Sequence, residues 1–257
     1  MKKEEAGQLL GPLIDASRRA GAAVIEVYRS DFAVTRKADA SPVTEADIRS
    51  ERVILDTLAK IAPMIPVVSE EAFAQGKHPE TDGGTFWLVD PLDGTKEFVK
   101  RNGEFTVNIG LILEGRPCLG VIYAPVPDLL FAAQPGLAWV EDKGAPPTPI
   151  TARFPPRDGM VALTSRSHRS PGRFDDFIRP LPVQEVRQLG SSLKLALIAA
   201  GKADLYPRFG RTMEWDTAAG HAILDAAGGR ITSPEGAPLV YGKNGFENTS
   251  FVAWGRC

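Results

Sequence analysis

The sequence has few of the features that mark secreted, membrane-spanning or disulfide-stabilised chains. Its two cysteines, Cys118 and Cys257, form no short metal-binding spacing and no disulfide framework, which fits a reducing compartment. The most apolar run, around Val107 to Leu113, is far too short to cross a bilayer. The N-terminus, MKKEEAGQLL, has an acidic pair where a signal peptide needs an apolar core. We therefore expect a cytoplasmic protein without a transmembrane segment, and peripheral association with the inner membrane stays open.

A large excess of charge of either sign is also missing. The chain has 30 basic and 32 acidic residues, a formal charge of −2, so neither a nucleic-acid polymer nor an anionic membrane is indicated as the main partner. With 257 residues, 43% of them hydrophobic, the chain can bury the core of one large domain or of two joined halves. The stretch from Lys143 to Asp158 is rich in Pro, Gly and Thr and predicts a boundary between halves 1–150 and 151–257.

Hydrophobic periodicity predicts helices followed by a meander of strands in the first half. The apolar residues of the first helix recur at helical spacing at Leu10, Leu13, Ala20, Val24 and Val27. A second helix is predicted from about Asp47 to Ile61, with Thr44 as its cap. Strands are predicted at Ile65–Val68, Phe86–Val89, Phe105–Leu113, Cys118–Tyr123, Leu129–Ala133 and Leu137–Glu141.

In the second half, predicted strands and helices alternate. The strands are Met160–Thr164, Asp204–Arg208 and Phe251–Trp254, and the helices are Ser192–Ala200 and Asp216–Ala227. Gly228-Gly229 is a stop signal for the last helix. Strand runs followed by mixed elements indicate an α+β fold of layered sheets and helices.

Three acidic groups lie where predicted strands or helices begin or end. They are Glu70-Glu71, the segment Asp90-Pro91-Leu92-Asp93-Gly94-Thr95, and Asp216 after Trp215. Mg²⁺ is a hard cation that takes oxygen ligands, and a tight turn at Asp90–Thr95 can point two carboxylates and the Leu92 carbonyl at one spot. Two metal ions held there could clamp the attacking and leaving oxygens of a phosphoryl transfer.

Each acidic group also has a purely structural interpretation. Glu70-Glu71 could be a solvated loop, and Asp216 could cap a helix. Asp47 lies three residues after Thr44, which is the spacing of a capping box. Asp90 and Asp93 could simply form a turn.

The motifs together resemble those of the inositol monophosphatase superfamily. Its members share a D-P-(hydrophobic)-D-G-T motif and a later W-D-x-A-A-G motif, which here begin at Asp90 and Trp215. Within it, the chain is most similar to the bacterial 3'(2'),5'-bisphosphate nucleotidases of sulfur assimilation. The matching phrases are SPVTEAD, VVSEE, WLVDPLDGTKEFVKRNGEFTVNIGLI, LGVIYAPV, SRSH, GSSLK, LYPRFG and WDTAAGHA.

The resemblance implies an α-β-α-β-α sandwich, an Mg²⁺-dependent phosphatase and an assignment of site residues. Glu70, Asp90 and the Leu92 carbonyl would hold one Mg²⁺, and Asp90, Asp93 and Asp216 a second. Asp47 and Thr95 would orient and help deprotonate the attacking water, and Glu71 would be an auxiliary acid near a third, weak metal. The family also implies sensitivity to Li⁺.

The nucleotidase resemblance further implies residues that contact a small phosphorylated substrate. Ser191, Lys194, Arg208 and His168 would contact the second phosphate or the nucleotide. Around the metals, contacts would come from Glu70, Leu92, Asp93, Gly94, Thr95 and Asp216. We expect Ser191 and Lys194 to share one face of a helix because they are three residues apart. Alternatively, Lys194 could be a solvated helix residue and His168 a surface residue.

Three functions stay open on the sequence alone. The first is a nucleotidase that converts adenosine 3',5'-bisphosphate to AMP and phosphate and also accepts its sulfated relative. The second is an inositol or sugar phosphate phosphatase on the same scaffold, and the third is a catalytically silent Mg²⁺ or nucleotide sensor. The chain could be a monomer or a homodimer.

Overall fold

The structure, a computed structural model, describes residues 3–36, 42–81, 84–167 and 171–256. The helices are α1 (Lys3–Gly7), α2 (Leu10–Tyr28), α3 (Glu45–Ile61), α4 (Glu70–Ala74), α5 (Thr95–Val99), α6 (Pro171–Ile178), α7 (Leu193–Ala199) and α8 (Glu214–Ala226), with a 3₁₀ turn at Asn244–Phe246. The strands are β1 (Val34–Arg36), β2 (Pro42–Thr44), β3 (Val67–Ser69), β4 (Phe86–Asp93), β5 (Thr106–Leu113), β6 (Arg116–Ala124), β7 (Leu129–Gln134), β8 (Leu137–Asp142), β9 (Thr148–Pro149), β10 (Met160–Ser165), β11 (Val183–Leu189), β12 (Leu205–Arg208), β13 (Arg230–Thr232) and β14 (Phe251–Trp254).

The first half of the chain forms a seven-stranded sheet in the order β3-β4-β5-β6-β7-β8-β9. Strands β3 and β4 run parallel, and the remaining neighbours pair antiparallel. The predicted meander is confirmed. The pairing of β4 with β5 shifts register between Asp90 and Asp93, so the strand is irregular where the D-P-L-D motif lies.

Helices α2 and α3 cover one face of this sheet. All five predicted apolar residues of α2 are buried, and they pack with Ile54 and Leu58 of α3 against the sheet. Gly21 lets α2 approach the sheet closely, because a Cβ there would lie 2.4 Å from the ring of Tyr123. The apolar stripe read from the sequence therefore faces the sheet.

Helices α7 and α8 cover the opposite face of the seven-stranded sheet. Gly110 of β5 and Gly120 of β6 face α8, where added Cβ atoms would lie 2.8 Å from the Ala218 Cβ and 2.2 Å from the Ala219 carbonyl oxygen. A Cβ added at Gly220 would lie 2.5 Å from the side chain of Leu195 in α7. The small residues of the W-D-x-A-A-G motif are thus packing residues that bring the start of α8 close to the sheet.

The second half forms a five-stranded sheet in the order β11-β10-β12-β14-β13. A core cluster that includes Phe86, Leu88, Trp215 and Phe251 fills the space between the two sheets around α7 and α8. On the outer face, α6 packs Phe174 against the sheet. The layers are therefore α2/α3, sheet, α7/α8, sheet and α6, which confirms the predicted α-β-α-β-α sandwich.

Several elements were not predicted from the sequence. They are the β1–β2 hairpin, the short helices α1, α4 and α5, helix α6, and strands β9, β11 and β13. Strand β11 is almost entirely exposed, so its sequence VQEVRQL shows no alternation that would reveal a strand. The division at Lys143–Asp158 stays a prediction: β9 lies within it and pairs with β8.

Within the described residues, we find no helix that is both long and apolar enough to cross a membrane.

Candidate active site

A cavity of about 1010 Å³ lies between the two sheets and is lined by residues from both halves of the chain. The residues predicted from the sequence that line it are Glu70, Asp90, Leu92, Asp93, Gly94, Thr95, Ser191, Lys194, Arg208 and Asp216. The structure thus brings together ten residues that are up to 146 positions apart in the sequence (216 minus 70).

The four carboxylates reach the cavity from the ends of three elements. Glu70 is the first residue of α4, directly after β3, and Asp90 and Asp93 lie at the end of β4. Because β3 and β4 are parallel, their carboxyl ends meet at one edge of the sheet. Asp216 is the third residue of α8, where its Oδ2 accepts a hydrogen bond of 2.9 Å from the Met213 backbone N–H. Asp216 therefore stabilises the helix start and lines the cavity at once.

Burial and mutual repulsion make two of these acids hard to ionise. Burial raises the pKa of Asp216 to about 8, and the charges of Asp93 and Glu70 add to the shift. Burial also raises the pKa of Asp93 to about 6, against the lowering effects of Lys194 and of the Ser192 N–H, which lies 2.5 Å from the Asp93 Oδ2. The site therefore favours a cation or a proton beside these carboxyl groups.

The donors suit a hard divalent cation, since they are carboxylate and carbonyl oxygens only. Among the residues that the structure describes, no three acidic, histidine or cysteine side chains stand close enough together to form a ready-made metal site. The Asp90 Oδ1 instead accepts a hydrogen bond of 3.0 Å from the Leu92 N–H. The chemistry of the donor set nevertheless fits a hard cation such as Mg²⁺.

Asp47 caps helix α3 and also contacts a residue that lines the cavity. It is 1% exposed, and its Oδ2 accepts hydrogen bonds from the Thr44 N–H (2.7 Å) and hydroxyl (2.8 Å), which completes the capping box of α3. Its Oδ1 lies 3.3 Å from the Thr95 Oγ1. Thr95 lines the cavity and also contacts the Leu92 carbonyl at 3.2 Å, so Asp47 reaches the cavity through Thr95.

Lys194 is buried, which rules out the solvated alternative. Its Nζ donates to the carbonyls of Leu189 (3.2 Å) and Ser191 and lies 5.1 Å from the ring centre of Tyr206. Burial lowers the pKa of Lys194 to about 8, although Asp93 acts in the opposite direction. Arg208, at the end of β12 as predicted, lies in the same wall of the cavity and donates to the Arg211 carbonyl at 2.9 Å.

The expectation that Ser191 and Lys194 share a helix face was wrong. Helix α7 begins at Leu193, and Ser191 lies outside it with a φ of 47°, in the left-handed region. Both side chains still line the cavity, because the turn before α7 and its first residues border the same space.

Among the described residues predicted for the site, Asp47 and Glu71 are not in the cavity wall. Glu71 is buried at 4% exposure and is not among the lining residues, so its auxiliary role stays a prediction. His168 lies outside the described residues.

A polar network beside the carboxylates was missed in the sequence. The Ser192 hydroxyl lies 2.7 Å from the Asn108 Oδ1 and 2.8 Å from the Thr106 Oγ1, and Ser192 also contacts Asp93. Thr106 and Asn108 are two positions apart in an otherwise apolar strand, and this spacing would have placed both on one face. Glu97, buried in the cavity wall, accepts a 2.6 Å hydrogen bond from Ser167 and was also missed.

Comparison with known proteins supports the resemblance read from the motifs. A sequence model of the inositol monophosphatase family matches residues 6–254. The chain is 46% identical over 237 residues to the 3'(2'),5'-bisphosphate nucleotidase CysQ of Shigella flexneri, covering 91% of this chain and 94% of that protein. It is 45% identical over 240 residues to the protein of the same name from Salmonella typhimurium, with 91% and 94% coverage.

Solved structures agree with the sequence matches. CysQ from Bacteroides thetaiotaomicron, described as a bacterial member of the inositol monophosphatase family, superposes with a TM-score of 0.81 at 37% identity, covering 96% of each chain. Inositol monophosphatase from Anabaena (Nostoc) superposes with a TM-score of 0.77 at 29% identity, covering 97% of this chain and 91% of that one. The chain therefore belongs to the inositol monophosphatase family.

Proposed function

We propose that this protein is an Mg²⁺-dependent phosphomonoesterase that hydrolyses the 3'-phosphate of adenosine 3',5'-bisphosphate, giving AMP and phosphate, and that it serves sulfur assimilation. The observation that carries the proposal is one cavity whose wall contains four carboxylates together with the buried cations Lys194 and Arg208. The bisphosphate nucleotidase names of the relatives support the same substrate. The sulfated relative of the bisphosphate is a further proposed substrate.

We assign two Mg²⁺ ions to these carboxylates. Glu70, Asp90 and the Leu92 carbonyl would hold one, and Asp90, Asp93 and Asp216 the other. When bound, the ions neutralise the carboxylates, acidify water and stabilise the negative charge of the leaving oxygen. A third ion near Glu71 remains part of the proposal.

Thr95 and Asp47 would handle the proton of the attacking water. The Thr95 hydroxyl has one hydrogen to donate, to Asp47 or to the Leu92 carbonyl, and its lone pairs are then available to orient water. As the water oxygen attacks phosphorus, its proton passes through Thr95 Oγ1 to Asp47 Oδ1. The bond from phosphorus to the ribose 3'-oxygen breaks, and that oxygen takes a proton from solvent.

Polar groups of the cavity would hold the two phosphates of the substrate apart. The backbone N–H groups of Gly94 and Thr95 are proposed donors to the reacting phosphate, since the left-handed φ of Gly94 (94°) turns the backbone at this point. Ser191, Lys194 and Arg208 would bind the second phosphate, for which the Arg208 guanidinium offers paired donors. An inositol or sugar monophosphate would offer these groups no second phosphate to bind.

A phosphate-release assay tests the proposal directly. The purified protein is given adenosine 3',5'-bisphosphate, 3'-AMP, 5'-AMP and inositol monophosphate, each with Mg²⁺ and with a chelator. We expect the highest kcat/KM on the bisphosphate, no turnover with the chelator and recovery when Mg²⁺ is added back. Faster turnover of inositol monophosphate would favour the alternative phosphatase, and absence of turnover on every substrate would favour the silent sensor.

A further inference from the structure

A bidentate ion pair joins the two sheets beside the cavity. Arg166 follows β10, and its Nε and Nη2 donate to the Oε2 (2.7 Å) and Oε1 (2.6 Å) of Glu104, which lies in the loop before β5. The Arg166 Nη2 also donates to the Gln188 carbonyl at 3.0 Å. Because the planar guanidinium matches both carboxylate oxygens, the pair fixes the orientation of the Glu104 side chain.

Glu104 in turn holds the turn that leads into α7. Its Oε2 accepts a hydrogen bond of 2.8 Å from the Gly190 N–H. The approach is so close that a Cβ on Gly190 would lie 2.6 Å from the Glu104 carbonyl oxygen. Ser191, the next residue, adopts its left-handed backbone at this point. The carbonyls that hold the Lys194 ammonium, those of Leu189 and Ser191, belong to the same turn.

The two ends of this turn are attached to the seven-stranded sheet in different ways. Ser192 is attached through Asp93, Asn108 and Thr106. Gly190 is attached through the Glu104 carboxylate. Loss of that carboxylate should therefore release the Gly190–Ser191 end while Ser192 keeps its contact with Asp93.

We propose that Glu104, oriented by Arg166, is a specificity-determining positioning residue. It sets the position of Ser191 and Lys194 relative to the carboxylates of the cavity, and this position selects a substrate with two phosphate groups. The inference rests on the proposed function, since it concerns how that site recognises its second phosphate. Glu104 itself acts through Gly190 and Ser191 and has no assigned contact with substrate.

The test compares two nucleotides that differ by one phosphate. For Glu104→Ala and Arg166→Ala, KM for adenosine 3',5'-bisphosphate should rise about 10- to 100-fold, the value of one or two charge-assisted hydrogen bonds. 3'-AMP lacks the 5'-phosphate, so its kcat/KM should stay within about threefold of wild type. A change of that size is smaller than the loss of one charge-assisted hydrogen bond would cause. Glu104→Gln keeps an acceptor for the Gly190 N–H but loses the charge, so its KM should lie between those of wild type and Glu104→Ala.

Arg187→Ala is the matched control. Arg187 forms an equally bidentate pair with Glu185 (2.6 and 2.7 Å) on β11, and neither residue lines the cavity. This variant should leave KM for the bisphosphate and kcat/KM for 3'-AMP unchanged. Equal losses on both nucleotides in the Glu104 and Arg166 variants, or no loss on either, would overturn the proposal.

Wild-type turnover of the bisphosphate tests the proposed function separately from this inference. If the wild type turns over neither nucleotide, calorimetry can measure the binding of the same two nucleotides in the presence of Mg²⁺. The affinities for the bisphosphate and for 3'-AMP are then compared between wild type and variants. Weaker binding of the bisphosphate alone in Glu104→Ala supports the inference, and parallel weakening of both nucleotides contradicts it.

Discussion

Asp47 and Thr95 lie 3.3 Å apart, Oδ1 to Oγ1, and the other carboxylate oxygen of Asp47 caps helix α3. One side chain therefore caps a helix with one oxygen and contacts the cavity residue Thr95 with the other. The capping contact also holds the carboxylate in place, since both hydrogen bonds from Thr44 fix its orientation. The two roles can be separated by substitution.

Asp47→Asn should lower kcat by about 10²- to 10⁴-fold, the usual contribution of a general base. The amide oxygen of the new asparagine can take the place of the Asp47 Oδ2 and accept from Thr44. The free energy of unfolding should therefore fall by less than about 1 kcal/mol. Steady-state kinetics and urea unfolding measure the two effects. Thr44→Ala is the complementary control, with lower stability and a much smaller loss of kcat; equal kcat losses in both variants would argue against Asp47 as the base.

Asp216→Asn should stabilise the metal-free protein at alkaline pH. The pKa of Asp216 is about 8 in the folded state against an ordinary value of 3.8, so the unfolded state releases its proton first as the pH rises. Metal-free wild type should therefore lose stability between about pH 4 and pH 8 and level off above that range. Thermal unfolding in the presence of a chelator should show that Tm declines less from pH 5 to pH 9 in the variant than in the wild type. An equal decline in both proteins would mean that Asp216 is not the group involved.

Mg²⁺ should stabilise the wild type more at pH 8 than at pH 6. Protons compete with the cation for Asp93 and Asp216, whose pKa values are raised to about 6 and about 8. Titration of Tm with Mg²⁺ at both pH values measures the difference. Mg²⁺-free buffers of equal ionic strength are the control, because general screening would change Tm equally at both pH values.

Recognition of the second phosphate should weaken above about pH 8. Lysine is cationic below its pKa, and burial lowers that of Lys194 to about 8, so the ammonium is lost as the pH rises past this value. KM for the bisphosphate should then rise, and KM for 3'-AMP should rise less. In Lys194→Gln the bisphosphate KM should be high throughout and lack this alkaline step, and a step that persisted there would assign it to another group.

Gly120→Ala should reduce both stability and metal affinity. The new Cβ would lie 2.2 Å from the backbone oxygen of Ala219, so α8 would have to move away from the sheet and take Asp216 with it. Overpacking of this kind costs about 1–3 kcal/mol or more. Gly11→Ala is the control: it lies in α2 with nothing within 4 Å of the new Cβ, and should stabilise the protein slightly. Calorimetric Mg²⁺ binding and thermal unfolding distinguish the two variants.

The sequence was most informative where local pattern and chemistry coincide. The apolar stripe of α2, the Thr44 cap and the acids at the ends of β4 and at the start of α8 could all be predicted, because each depends on neighbours within a few residues. The family motifs then indicated which carboxylates lie together although they are far apart in the chain.

What could not be predicted depends on contacts between distant segments. Glu104 and Arg166 are 62 positions apart, and Ser192 and Asp93 are 99 apart. Strand β11 is polar on both faces, so only its pairing with β10 makes it a strand. Ser191 does not share a helix face with Lys194 because its left-handed backbone belongs to the turn before α7, which no periodicity describes.

The position of α7 and α8 between the sheets also has a consequence for biosynthesis. Until the ribosome has made these two helices, the inner face of the seven-stranded sheet, with Phe86, Leu88 and Ile112, lacks its cover. A nascent chain or a fragment ending near residue 150 would expose this apolar surface and bind chaperones or aggregate. It would also lack Asp216, so the carboxylate set of the cavity becomes complete only late in synthesis.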